Sequence, residues 1–297
     1  MAELEKALDC AIRDYEIKGD TSKCGYKIDG RVPYENYMSN ETWTSFLEGM
    51  PRLYRRQYED ADGGELKEKK GRYGWYPPKM ASYGSSSRLI YQCSKNINGF
   101  SFEKLLPTRV GHIANIDGYK PKNTQDQEVY VEAKCREIYA KHTNIKINEV
   151  YKKVYDFVHE KHHNFEYELS ACKKEHYFCC TFKYKGQKII HFDIKQLICH
   201  YLGIAANILE TKQTKGIKFV YFIYNPENVK DNIEKYGEKI LSIYQQTIKE
   251  IERFGNMYWL FKAVLEFQKQ NLGLSLETEP TFEFKIVDQN SYRDELK

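Results

Sequence analysis

Apolar residues recur along this chain at helical spacing in some stretches and alternate with polar ones in others, and the two periods divide it. A helix is expected over residues 3–18, a polar turn at Asp29-Gly30 and a second helix over 42–50. Residues 52–72 interleave acids with bases and are punctuated by Asp62-Gly63-Gly64 and Tyr76-Pro77-Pro78, the pattern of an exposed loop or arm. From Ser85 the pattern sharpens. Ser85-Ser86-Ser87 can cap a helix running to about residue 96, where Asn98-Gly99 ends it. Strands are expected at 100–106, 113–120 and 128–135, separated by turn residues. A helix over 147–163, a strand at 177–184, a helix over 193–209 and an apolar strand at 218–224 follow, closed by Asn225-Pro226. Helices over 227–254 and 257–271 and a strand at 281–287 complete the chain. The class is α/β: a mostly helical arm (1–84), an alternating core (85–226) and a helical extension packed on the core (227–297).

With 297 residues, 41% of them hydrophobic, the chain can bury a sizeable core, which excludes disorder and small disulfide scaffolds. Tyrosine is abundant, 25 against 3 Trp, and suggests generous aromatic surface for contacts. The net charge of +4 permits a nucleic-acid partner without demanding one. The longest apolar runs have strand length, so no membrane span is expected. The N-terminal Met1-Ala2-Glu3-Leu4-Glu5-Lys6 lacks secretory character, and a cytoplasmic location with reduced cysteines is the expectation. Cys172, His176, Cys179 and Cys180 have metal-capable chemistry, but a strand would point Cys179 and Cys180 to opposite faces. One buried and one exposed thiol is expected there.

Chemistry concentrates in the segments 114–119, 129–135 and 192–197. An acid two residues before a lysine also occurs at Glu16/Lys18, Glu65/Lys67, Glu68/Lys70, Asp193/Lys195 and Glu283/Lys285, so the tripeptide alone carries little. Context discriminates. On a strand, Glu132 and Lys134 share one face while Val131, Ala133 and Cys135 share the other, and a meander brings Asp117 beside Glu132. Two adjacent carboxylates repel unless a cation lies between them, and oxygen ligands favour Mg²⁺ or Mn²⁺. The competing account is an exposed strand face with a Glu/Lys ion pair. The similar alternation at Phe282-Glu283-Phe284-Lys285-Ile286 has its upstream acids, Glu277 and Glu279, in a Pro-bounded loop.

In their order, the helix from Ser85, the Asn115-Ile116-Asp117-Gly118 strand, the Tyr130-Val131-Glu132-Ala133-Lys134 strand, the helix with Gln196 and the apolar strand at 219–224 resemble the PD-(D/E)xK restriction-endonuclease-like nuclease superfamily, over residues 85–226. Ile116 stands where the superfamily's name has Pro. The resemblance implies a core of helix, three-stranded meander, helix and strand with helical additions at both ends. It implies a metal-dependent endonuclease acting on DNA, in restriction, defence or repair. Asp117, Glu132 and the Ala133 carbonyl would hold Mg²⁺, with Mn²⁺ as a substitute. Lys134, beside carboxylates, would stay protonated and orient and stabilise charge, and Gln196 would position water or substrate. Many members add a glutamate from the first core helix. Residues 85–96 contain no acid, and Glu103 on the following strand is the nearest candidate. A homodimer is a natural arrangement for a palindromic target.

Two other readings compete. His159-Glu160-Lys161-His162-His163 matches HExxH, the zinc metalloprotease motif, with Glu166, Glu168, Glu175 and His176 as third-ligand candidates. The context differs from such helices: Val150, Val154, Phe157 and Val158 form the apolar stripe, while Tyr151, Tyr155, His159 and His163 form a separate ridge. The other is a non-catalytic nucleic-acid-binding module on the same fold. Lysines between 141 and 188 interleave with Tyr151, Tyr155, Phe165, Tyr167, Tyr177 and Tyr184, a composition suited to backbone contact and base stacking.

Overall fold

The computed structural model describes residues 2–28, 31–61, 64–71, 74–172, 177–233 and 236–297. The Asp29-Gly30 turn, Asp62-Gly63, Arg72, Tyr73, Glu175 and His176 lie outside the described residues. The chain opens with helix α1 (Ala2–Ile17), the hairpin β1 (Cys24–Tyr26) and β2 (Tyr34–Met38), and helices α2 (Asn40–Glu48) and α3 (Arg52–Asp60). A second hairpin, β3 (Lys69–Gly71) and β4 (Gly74–Tyr76), precedes α4 (Ser86–Ser94). The meander β5 (Ser101–Pro107), β6 (Ile113–Lys120) and β7 (Gln127–Lys134) follows as expected. Next come β8 (Ile145–Asn148), α5 (Val150–Lys161), β9 (Phe165–Ala171), β10 (Tyr177–Tyr184) and β11 (Gln187–Lys188). The remainder is α6 (Ile194–Thr211), β12 (Gly216–Ile223), α7 (Gly237–Glu252), α8 (Tyr258–Leu272), β13 (Phe282–Val287) and α9 (Tyr292–Glu295).

The central sheet is mixed, in the order β13-β12-β7-β6-β5. The meander strands pair antiparallel, while β12 runs parallel to both β7 and β13. Parallel neighbours require long crossovers. The one from β7 to β12 carries α5, α6 and a second antiparallel sheet in which β10 pairs with β8, β9 and β11. Val129, Tyr130, Val131 and Ala133 on β7 are all buried, as is the run from Ile217 to Ile223 on β12, because helices cover both faces of these strands. Helix α6 lies across β5 and β6. Its approach depends on Gly203, where a Cβ would sit 2.8 Å from Leu106 Cβ and 2.9 Å from Ala114 Cβ.

Several expectations are corrected. Residues 52–60 form a helix rather than an exposed arm, because Tyr54 and Tyr58, one turn apart, pack against Phe102 with ring centroids 5.0 and 5.3 Å away. The strand expected at 281–287 forms, and by joining the central sheet beside β12 it makes the 227–297 segment more than a helical extension. That strand is β13, whose Phe284 stacks on Phe219 at 6.0 Å and whose Phe282 stacks on Phe261 at 4.3 Å. The expected 227–254 helix is divided into a 3₁₀ turn, Pro226–Asn232, and α7. The tyrosines are not chiefly surface groups: Tyr58, Tyr130, Tyr139, Tyr155, Tyr201, Tyr221 and Tyr292 are among the largest fully buried side chains. Val150 is exposed, outside the α5 stripe assigned to it. One apolar core runs from Leu4 to Leu296, drawing on all three segments. No helix of the described residues is long and apolar enough to cross a membrane.

Candidate active site

The site begins with a break in the sheet. The β6–β7 ladder pairs Lys120 with Val129, Tyr119 with Tyr130 and Gly118 with Val131, and then stops. Beyond it the Asp117 side chain takes over, its Oδ2 accepting the Ala133 N–H at 2.7 Å. On the other edge of β6, the register skips one position between Phe102–Gly118 and Lys104–Ile116, and the residue there, across from Asp117, is Glu103. Glu103 has φ +55°, a left-handed conformation costly for a side chain in the middle of a strand. The Asn115 amide donates to its carboxylate. Asp117 is thus flanked by Glu132 and Glu103 across the two interruptions.

A cavity of about 410 Å³ opens here and is lined by Glu103, Asn115, Asp117, Glu132, Ala133, Lys134 and Gln196. Every residue expected at the site from sequence therefore faces one space. Lys134 Nζ donates to Glu132 Oε1 and to Gln196 Oε1, each at 2.6 Å. Asp193 caps α6 by accepting the Gln196 N–H at 3.0 Å, which fixes the start of the helix that carries the amide. Lys195 points elsewhere, donating to the Lys146 carbonyl at 2.9 Å. The Ser85 to Ser87 start of α4 also borders the cavity, with the Ser85 hydroxyl capping the helix through the Arg88 N–H. A second cavity of about 340 Å³ shares Gln196 and is walled by His112, Lys146, Asn148, Tyr151 and Tyr177.

His200 was not among the residues expected from sequence. It lies one turn after Gln196 on α6, is 2% exposed, and places Nε2 2.8 Å from Glu132 Oε2. That contact has ion-pair distance without hydrogen-bond geometry, and neither ring nitrogen has a hydrogen-bond partner. The i, i+4 spacing of Gln196 and His200 on an amphipathic helix was the available signal.

The electrostatics follow from this crowding. Burial pushes the Asp117 carboxyl well above the usual carboxylate range, and Glu132 and Glu103 push the same way against Lys134 and the Ala133 N–H. Burial would also raise Glu132, but Lys134 and His200 outweigh it and draw it down to about 2. Burial opposes the charge on Lys134, yet Glu132 and its other anionic neighbours raise it well above the ordinary lysine value. Lys134 is therefore a fixed ammonium. Five carboxylates line the cavity (Glu65, Glu103, Asp117, Glu132, Glu137) against three cations (Lys79, Lys134, Arg136). The donors beside Asp117 are oxygens and fit a hard divalent cation in kind, while Glu132 Oε1 is engaged by Lys134 and its Oε2 faces His200 Nε2. As they stand, no group of three His, Cys, Asp or Glu side chains among the described residues converges tightly enough to hold one.

Among the described residues, the other sequence candidates gather no group that could hold a metal. Helix α5 ends at Lys161 and His162 is already outside helical geometry, so His159 and His163, whose ring centroids lie 5.8 Å apart, are not set by one helical turn as HExxH needs, and no third ligand joins them among the described residues. His159 Nδ1 lies 2.6 Å from the Phe165 carbonyl. Cys180 is buried and Cys179 half-buried, on a strand as expected. Tyr151, Tyr155, Phe165 and Tyr184 are buried in the core, which removes most of the stacking surface read between 141 and 188. Glu283 and Lys285 pair with one another at 3.2 Å on the edge strand β13, away from the cavity. Comparison with protein-family models, with curated proteins and with solved structures returned no match to this chain.

Proposed function

We propose that this protein is a Mg²⁺-dependent endonuclease hydrolysing DNA phosphodiester bonds, with a restriction-endonuclease-like core of α4, the β5–β6–β7 meander, α6 and β12. The observation that supports this reading is the gathering of Asp117, Glu132, Lys134 and Gln196 around one negatively charged cavity at a break in the central sheet. Phosphodiester hydrolysis needs compensation for charge growing on the phosphoryl oxygens and a nucleophile of hydroxide character. A divalent cation held by Asp117, Glu132 and the Ala133 carbonyl, with Glu103 at its margin, would supply Lewis acidity and acidify water.

The chain's own groups divide the remaining work. Lys134, locked between Glu132 and Gln196, offers a permanent positive charge to the scissile phosphate and cannot serve as a free-amine base. Gln196 presents an amide whose oxygen is engaged by Lys134, which leaves its N–H₂ to orient water or a phosphate oxygen. His200 holds the far side of the Glu132 carboxylate.

Supercoiled plasmid, incubated with Mg²⁺, Mn²⁺ or EDTA, tests the reading. Wild type should nick it only with metal, and Lys134→Ala should lose the activity while keeping its fold. Nicking that persists in Lys134→Ala, or that ignores EDTA, would sink the assignment. Salt-sensitive DNA binding without cleavage would instead identify a binding module on this fold.

A further inference from the structure

We infer that the β3–β4 hairpin is an arm that holds nucleic acid at the mouth of the catalytic cavity, with its lysines on phosphates and Trp75 and Tyr76 against the sugars and bases. The inference rests on the nuclease reading for its ligand. The hairpin is rooted at the site. The segments leading into β3 and out of β4 are joined at their base by Lys79 N–H to Gly64 C=O at 3.2 Å and Met80 N–H to Glu65 C=O at 3.0 Å. The Lys79–Glu65 ion pair at 2.7 Å seals that base, and both residues line the cavity. The root of the hairpin therefore borders the cavity, while Lys69, Lys70, Trp75 and Tyr76 lie outside its lining.

It is also held in place. The Trp75 carbonyl accepts from Arg31 and from the Tyr34 hydroxyl, both at 3.2 Å, which anchors β4 to the first hairpin. Gly74, beside that anchor, has φ +120°, a backbone that any side chain would strain. The register sets Lys69 across from Tyr76 on one face and Lys70 across from Trp75 on the other, so each face of the ribbon carries a cation beside a ring. Lys67, Lys69 and Lys70 are exposed, and Glu68, the only acid between 66 and 78, lies against the Tyr26 hydroxyl. Trp75 is 44% exposed and Tyr76 40%, whereas Trp43 is buried and Trp259 half-buried. A cationic ribbon with exposed aromatic rings, fixed beside a site for phosphodiester chemistry, matches the backbone charge and flat bases of nucleic acid.

The test uses the full chain in EDTA with a 5′-labelled DNA duplex and the matching single strand, comparing wild type, Lys69→Ala/Lys70→Ala and Trp75→Phe. On the duplex the lysine variant should bind more weakly and reduce the slope of log Kd against log salt by about 0.9 to 1.8, since each phosphate no longer neutralised there lowers it by about 0.9. DNA should shield the fluorescence component that is missing in Trp75→Phe from iodide quenching. With Mg²⁺, the lysine variant should raise KM and leave kcat near wild type. An unchanged salt slope together with an unshielded Trp75 would overturn the inference even if wild type cuts DNA. Hairpin-dependent binding without cleavage would uphold the arm and overturn the nuclease, whereas wild type that neither binds nor cuts would overturn both.

Discussion

At Asp117 burial, two neighbouring carboxylates and a single backbone donor act on one side chain, and the carboxylate is left short of compensating charge. Asp117→Asn keeps an acceptor for the Ala133 N–H and removes the repulsion. The metal-free variant should be more stable than wild type by on the order of 1 kcal/mol, the common gain from relieving a functional group. Mg²⁺ should raise the Tm of wild type but not of the variant, because a ligand that binds only the folded state stabilises it. Thermal melts with EDTA and with Mg²⁺ read both effects, and a variant less stable than wild type in EDTA would refute the account. His200 acts one contact further out. Removing its ring in His200→Ala frees the Glu132 carboxylate to rotate, and metal affinity or activity should fall roughly 10–100-fold, as for other groups that orient a ligand. Metal titration of the variant by calorimetry would show it.

The elements that carry the site were readable in the sequence because their patterns are local. Alternation along 113–120 and 128–135 set the strands, and the meander put Asp117 near Glu132. The skipped pairing at Glu103 and its left-handed backbone depend on contacts made across strands, and no local pattern carries them. Helix α3 was hidden by its charges, since the Tyr54 and Tyr58 stripe acquires meaning only against Phe102. Strands β8 and β9 are short or polar and owe their pairing to β10. Two measurements probe elements rather than residues. Gly203→Ala should cost about 1–3 kcal/mol in chemical denaturation, because α6 must move off β5 and β6. The Asp288 carboxylate accepts the Asn290 and Ser291 N–H groups at 2.9 and 3.1 Å, ties to Asn225, and is held below the usual carboxylate range by those bonds despite burial. Its contribution is therefore present above the unfolded carboxyl value and is lost as pH falls through the lower folded one. Asp288→Ala should cost about 1 kcal/mol at pH 7, comparable to losing a helix cap. The difference from wild type should shrink in denaturation below about pH 4, near the unfolded aspartate value.

For the whole molecule, the question is whether residues 1–226 could stand without the rest. Lys218, on β12 between β13 and β7, is buried and pairs at 2.6 Å with Glu295 near the C-terminus. Phe222 stacks on Tyr292 at 4.4 Å, and the Tyr292 hydroxyl meets the Ser94 hydroxyl at 2.6 Å on the first core helix. Gln268 on α8 is fully buried and donates to the carbonyls of Thr108 and Leu202, stitching β5's far end to α6. A chain ending at residue 226 would strip β13 from β12 and uncover Phe219, Tyr201 and Phe222. Each large apolar side chain brought back to water costs about 1.5–3 kcal/mol, so a few exhaust the roughly 5–15 kcal/mol that stabilise a domain. The truncated protein should lack a cooperative unfolding transition and aggregate. The 297-residue chain should unfold in one step, with hydrogen exchange in β7 and β12 as slow as global unfolding. A truncated chain that melts cooperatively and keeps slow exchange in β7 would show that residues 227–297 are an appendage instead of part of the core that holds the site open.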